Sequence, residues 1–270
     1  MKHESPRVEG TLADAEIHDR WISNYRTADN QAFFERAFDA LLPYLGRAES
    51  QPVLDAGCGT GAHSLRLAAR GCRVIGTDIS FHVLRSAKAG AEARKQQNNV
   101  QLSASNLLEL PFADESFRAV LCWGVLMHVP DVGGAVRELS RVLAPNGCLV
   151  VSEANARSVQ ATGLRAARRL LNRNLADIRH TASGVEHWKM MQSGPLVTRE
   201  ANIGWLIEEF ERHGVTLQRR RAGQLTELYT RTRNRVLRSG IHAINRIWFD
   251  RVRLPGPAFG NLLILRKDPR

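Results

Sequence analysis

Apolar positions along the chain change their period several times, and each change marks a predicted element. From residue 12 to about 46 they recur three and four residues apart: Leu12, Trp21, Ile22, Tyr25, then Phe33, Phe34, Ala37, Phe38, Leu41 and Leu42. That spacing predicts helices. Short continuous apolar runs then alternate with helical ones. Residues 52–56 read as a buried strand, 57–61 as a turn, and 62–70 as a helix stopped by Gly71. A second strand at 72–76 leads to a helix over 80–95. Residues 100–102 form a third strand and, after the turn-like 111–115, residues 119–123 a fourth. A helix over 133–143 ends at Pro145-Asn146-Gly147, before a fifth strand at 148–151. Strands alternating with helices predict an α/β fold with a doubly wound, mostly parallel sheet.

Beyond residue 154 the alternation slows. Basic helical stretches over 159–175 and 225–249 flank a helix at 199–213 and a strand at 215–219, and 261–265 form a last strand. Because a sheet strand follows each basic stretch, both read as helical insertions into one domain. The division is a helical cap (1–48), a core (49–154), an insertion acting as a substrate lid (155–198), a core helix and strand (199–221), a basic helical insertion (222–258) and the last strand (259–270).

Composition narrows the classes. At 43% hydrophobic and 24% charged over 270 residues, the chain can bury a sizeable core, which argues against disorder. No apolar run of about 18 residues suggests a membrane span. The polar start Met1-Lys2-His3-Glu4-Ser5-Pro6-Arg7 lacks a signal-peptide core, so the expected compartment is cytoplasmic. Cys58, Cys72, Cys122 and Cys148 lie in or beside strand-like runs, with neither paired spacing nor a nearby His partner. They read as small buried hydrophobes, and no metal is expected.

Charge is the unusual quantity. The net value is +11, but residues 1–154 carry −2 and residues 155–270 carry +13. Nucleic acid, an anionic membrane surface or an anionic substrate would each suit such an excess. The stretch 225–249 combines helically spaced apolar residues with Arg231, Arg233, Arg235, Arg238 and Arg246, and 159–175 repeats the pattern with Arg165, Arg168, Arg169 and Arg173. Such helices lie on membranes, cover a pocket, or pair in a homodimer with solvated arginines.

The main chemical signal is the strand leading into Asp55-Ala56-Gly57-Cys58-Gly59-Thr60-Gly61 and then a helix. Glycines allow a sharp turn and close ligand approach, and the helix start offers unpaired N–H groups. The next strand ends at Asp78, suited to gripping two ribose hydroxyls. Gly57-x-Gly59-x-x-Ala62 also satisfies a dinucleotide fingerprint, which alone is a weak signal. Asp55 argues against pyrophosphate at this turn, because its charge would repel phosphate. With Asn106 following the third strand, a positively charged adenosyl ligand fits better.

The segments 53–61, Asp78-Ile79-Ser80, Leu110-Pro111-Phe112 with Ser116-Phe117, and 141–147 together resemble the class I S-adenosylmethionine-dependent methyltransferases, particularly the ubiquinone/menaquinone-biosynthesis-like branch. The resemblance covers roughly residues 50–153 plus the closing elements. It implies a seven-stranded Rossmann-like methyltransferase fold and S-adenosylmethionine as cofactor. It places Asp55, Gly57, Gly59 and Gly61 at the methionine end, Asp78 on the ribose and Ile79 against the adenine. Asn106 would stand where the family usually has an Asp, with Leu107 beside it, and Cys122 and Trp123 would flank the methionine. Arg118 also departs from the usual Asp after Ser-Phe, at a more structural position.

Methyl transfer from a sulfonium needs mainly orientation, and a base only where the acceptor must lose a proton. His128, past the fourth strand, and Glu153, past the fifth, are the catalytic candidates. Tyr25, His187 and Trp188 are candidates on the substrate side. The expected reaction is methylation of an O or N atom of a small acceptor, anionic or lipophilic. Alternatives are a nucleic-acid methyltransferase and a non-catalytic adenosyl-binding adaptor at a membrane surface. Nucleic acid is disfavoured because no aromatic stacking run accompanies the arginines and the fourth strand ends Cys122-Trp123-Gly124-Val125.

Overall fold

The computed structural model describes residues 8–14, 17–18, 27–45, 51–171 and 178–269. After a short helix α1 (Glu9–Leu12), α2 (Ala28–Leu45) leads into β1 (Val53–Ala56), α3 (Ala62–Ala68), β2 (Val74–Asp78), α4 (Phe81–Ala93) and β3 (Val100–Ala104). Then come β4 (Phe117–Trp123), α5 (Val132–Val142), β5 (Leu143–Ala154) and α6 (Val159–Leu170). Three strands follow: β6 (Ile178–Thr181), β7 (Gly184–Met191) and β8 (Gly194–Ala201). The chain closes with α7 (Ile203–Arg212), β9 (Val215–Ala222), α8 (Arg235–Ile247) and β10 (Gly260–Lys267).

Seven strands form the main sheet in the order β3-β2-β1-β4-β5-β10-β9. The pairs β1–β2, β1–β4, β2–β3 and β4–β5 are parallel, whereas β10 runs antiparallel to both β5 and β9. All four residues of β1 are buried because both faces of the sheet are covered. On one face Leu54, Val120 and Val151 pack against Val136 and Leu139 of α5 and Leu206 and Phe210 of α7. On the other, Val53, Leu121 and Val150 pack against Phe38 and Leu41 of α2. Local chemistry fixes the helix starts: Asp131 accepts from Gly134 N at 2.8 Å, and Ser158 from Ala161 N at 3.1 Å.

The second half departs from its periodicity in three places. The first insertion is helical only in α6, and β6–β7–β8 form a separate three-stranded antiparallel sheet. Its strands are turned by Gly184 and Gly194 at φ +147° and +128°, and the apolar residues Val185, Trp188, Met190, Met191, Leu196 and Val197 do not alternate along them. Residues 199–201 belong to β8, so the following helix starts at Ile203, capped by the Asn202 side chain. The region 225–249 is not one helix. Residues Leu228–Arg231 form a 3₁₀ turn and α8 begins at Arg235, because Asn245 bonds both the N–H and the carbonyl of Thr226 and folds the leading segment back.

Candidate functional site

The carboxyl ends of β1, β2, β4 and β5 open onto a cavity of about 470 Å³. It lies where β2 and β4 leave opposite sides of β1, the switch point at which such sheets bind ligands. Its size falls in the range of about 300–1,000 Å³ usual for small molecules.

The turn after β1 shapes the floor. Gly57, Gly59 and Gly61 have φ of +78°, +54° and +73°, a region that side chains other than glycine's disfavour. A Cβ on Gly57 would stand 2.5 Å from Val125 Cγ2, whereas one on Gly59 would meet nothing within 4 Å. Gly59 lines the cavity, so that open space is room for a ligand against bare backbone. The loop is pinned by two 2.8 Å bonds, from Gly57 N and Cys58 N to the Thr77 carbonyl. Asp78 holds it from the side: one carboxylate oxygen accepts from Gly59 N and the other from Ser80 N, each at 2.9 Å.

Gly57, Gly59, Asp78, Ile79, Asn106, Leu107, Trp123, His128 and Glu153 all line this one cavity. Asp55, Gly61 and Cys122 stand behind its wall. Asp55 is buried and accepts from Ser64 Oγ at 2.5 Å, and burial, with nearby Asp78 adding to it, raises its pKa to about 6. Its charge therefore reaches a ligand only through the loop, contrary to the expectation that it borders the methionine end directly. Cys122 is wholly enclosed in the core, where burial pushes its thiol up strongly. Asn106 spends one lone pair of its amide oxygen on Leu108 N at 3.0 Å, closing its own turn.

The substrate-side expectations fare differently. Tyr25 lies outside the described residues. His187 and Trp188 are on β7 and do not line the cavity. Trp188 Nε1 donates to Glu186 at 2.8 Å beneath the Arg179 guanidinium, and His187 Nε2 lies 3.8 Å from Glu200. Both serve the second sheet, which sequence spacing alone had not separated from the pocket.

The polar wall is formed by Glu153 and His128. Glu153 accepts from Leu126 N at 2.9 Å, and its Oε2 is buried with no partner among the described residues. Burial raises its pKa to about 8, so the carboxyl is mainly protonated at neutral pH. His128 Nδ1 donates to the Val197 carbonyl at 2.9 Å. A carbonyl only accepts, so Nδ1 carries the proton and Nε2 is the basic nitrogen. Burial lowers this histidine to about 4, with His18 and Arg199 contributing, and it is neutral at pH 7.

An aromatic wall completes the cavity, and sequence reading missed most of it. His63 stacks on Phe38 at 5.0 Å and lies 4.9 Å from Trp123, while Phe34 meets both His63 and Trp123 edge-on. Arg66 lies 5.0 Å above the Phe34 ring and binds Glu35 at 2.9 Å. Phe33, Phe34, His63, Gln224 and Phe259 line the space as well. The doubled Phe33-Phe34 and a histidine two residues past the glycine turn were the available signals.

Residues 54–151 match the family described as a methyltransferase domain. A demethylmenaquinone methyltransferase of Thermobifida fusca is 44% identical over 103 residues, which are 37% of this chain and 42% of that protein. A 2-phytyl-1,4-naphtoquinone methyltransferase of a Nostoc species is 36% identical over 108 residues, or 39% and 47% of the two chains. The matched segment thus spans under half the length of these relatives. In structure, the magnesium protoporphyrin IX methyltransferase of Synechocystis, solved with bound S-adenosylhomocysteine, aligns over 97% of this chain and 99% of that one, with a TM-score of 0.65 at 16% identity. That likeness establishes the fold.

Proposed function

From the premise that residues 54–151 form a methyltransferase domain, we propose that the whole chain transfers the methyl group of S-adenosylmethionine to an O or N atom of a small, lipophilic acceptor. One observation carries the reading. The glycine turn, Asp78 and an aromatic wall share a single cavity with an unprotonated histidine nitrogen and a protonated carboxyl.

The residues fit the cofactor. The bare backbone at Gly57 and Gly59, with Trp123, would hold the amino-acid end, Asp78 the ribose hydroxyls, and Ile79, Asn106 and Leu107 the adenine. When bound, S-adenosylmethionine supplies a methyl group on a sulfonium, whose thioether leaves without protonation. The protein's share is then orientation and dryness. Phe33, Phe34, Trp123 and Phe259 supply apolar surface for a flat acceptor, in keeping with quinone names among the relatives. Nε2 of His128 would take a hydroxyl or ammonium proton from the acceptor, while the neutral Glu153 carboxyl would donate a hydrogen bond.

Calorimetric titration tests the cofactor half. Wild type should bind S-adenosylhomocysteine, and Asp78→Ala should bind at least about 30-fold more weakly while keeping its circular dichroism. Equal affinity in the two proteins would overturn the assignment. Transfer of labelled methyl to a panel of phenols, hydroquinones, amines and RNA tests the acceptor half, and labelling of RNA alone would sink the small-molecule reading.

A further inference from the structure

Helix α8 is turned inside out. A surface helix normally buries its apolar stripe and shows polar residues to water. Here the buried positions are His242 and Asn245. His242 stacks against Tyr229 at 4.4 Å, and Asn245 bonds Thr226. The apolar side chains face outward: Val236 is 83% exposed, and Leu237, Ile244 and Ile247 are each more than half exposed. At 100° per residue, positions 236, 237, 240, 244 and 247 fall on one arc. Beyond the helix, Leu254 is 56% exposed.

The rim of this arc is cationic. From Arg231 to Phe259 the sequence holds seven arginines and one acid, Asp250, which already lies 3.6 Å from Arg36. Arg233, Arg235, Arg246, Arg251 and Arg253 are exposed. Among the described residues no helix is long and apolar enough to cross a membrane.

We propose that α8 and the turn after it are a docking surface for an anionic lipid bilayer, with Leu237, Ile244 and Ile247 entering the headgroup boundary and the arginines meeting lipid phosphates. Charge complementarity selects this occupant. A second copy would bring an equally cationic face against this one, whereas an anionic surface gains about 1 kcal/mol for each nearby arginine. Single-layer insertion of an apolar arc with a basic rim is the geometry of interfacial helices. The same insertion contributes Gly223, Gln224 and Glu227 to the cavity, so docking brings the lipid phase close to the pocket. The inference rests on the helix and not on the reaction.

Co-sedimentation of the full chain with vesicles of phosphatidylglycerol and phosphatidylcholine tests it. Binding should require the anionic lipid, weaken about tenfold or more in 0.5 M salt, and fall about tenfold in Leu237→Ser/Ile244→Ser. S-adenosylhomocysteine binding by that variant should stay within about twofold of wild type, because neither residue lines the cavity. That control separates failure here from failure of the proposed reaction. Equal binding to neutral vesicles, no binding, or a dimer in sedimentation velocity that the same double variant dissolves would each overturn the proposal.

Discussion

Arg199 of β8 and Glu186 of β7 form an ion pair of 2.8 Å that is almost fully buried, and the same guanidinium reaches across to the loop after β4. It donates to the carbonyls of Leu126 at 2.9 Å and Val129 at 2.7 Å, on either side of His128. The small second sheet thus holds the segment that carries the basic nitrogen of the cavity. Removing one partner of such a pair costs about 3–5 kcal/mol because the other charge is stranded. Arg199→Met is expected to lower the melting temperature by about 10 °C, at roughly 2–4 °C per kcal/mol. Methyl transfer should fall more than S-adenosylhomocysteine affinity. Arg199→Met/Glu186→Met should recover only part of the melting temperature in scanning calorimetry, because the Val129 carbonyl and Trp188 Nε1 still lose their bonds, and should not recover the rate.

Two of the turn glycines separate fold from ligand. Gly57→Ala places a methyl group 2.5 Å from Val125 at a φ of +78°, so it should destabilise the protein, and Val125→Ala in the same chain should relieve part of the loss. Gly59→Ala meets no neighbour within 4 Å and bears only the cost of its positive φ, about 1–2 kcal/mol. Its methyl group enters the space beside the cavity. The expected contrast is a lower melting temperature for Gly57→Ala, and at least about tenfold weaker S-adenosylhomocysteine binding for Gly59→Ala. Melts and calorimetry on the two variants measure both.

The difference between what the residues announced and what they hid follows from range. β1, the glycine turn and Asp78 were legible because each sits inside a strand–turn–helix unit whose period and turn chemistry are local. Arg199 read as the first residue of a helix, since its partners at 126–130 lie some seventy positions earlier. Likewise the apolar spacing of α8 is the same whichever way the helix faces. Only the long-range bonds of Asn245 and the contact of His242 with Tyr229 reveal that the stripe looks outward.

Glu153 should leave a mark on stability as pH rises. Its carboxyl binds a proton up to about pH 8 in the folded chain, but only to 4.5 as an ordinary side chain. Between those values the folded state holds the extra proton, so stability falls with rising pH, by at most about 1.4 kcal/mol per unit. His128 and His63, lowered from 6.5 to about 4 and about 3, act with the opposite sign, and their effect is complete only about a unit above 6.5, once the unfolded histidines are neutral as well. Asp55, raised to about 6, acts in the same sense as Glu153 but is almost fully ionised by pH 7.5. Urea titrations from pH 7.5 to 8 should therefore show stability falling in wild type and staying level in Glu153→Gln, which keeps an oxygen to accept from Leu126.

The pH–rate profile distinguishes the two groups that could take a proton from the acceptor. A base works in its deprotonated form, so the rate rises with pH through its pKa and then levels. With His128 at about 4, kcat/KM on an acceptor of constant ionisation should be level from about pH 5.5 to 7. With Glu153 at about 8 it would instead climb through that whole range. The bond from Nδ1 to the Val197 carbonyl keeps Nε2 in the accepting form, whereas the neutral Glu153 carboxyl has a proton to give. The level profile is therefore expected. His128→Ala should lower kcat about 100-fold with KM little changed, and Glu153→Gln should stay within a few-fold below pH 7. A climb toward pH 8 that disappears in Glu153→Gln would transfer the role of base to the carboxylate.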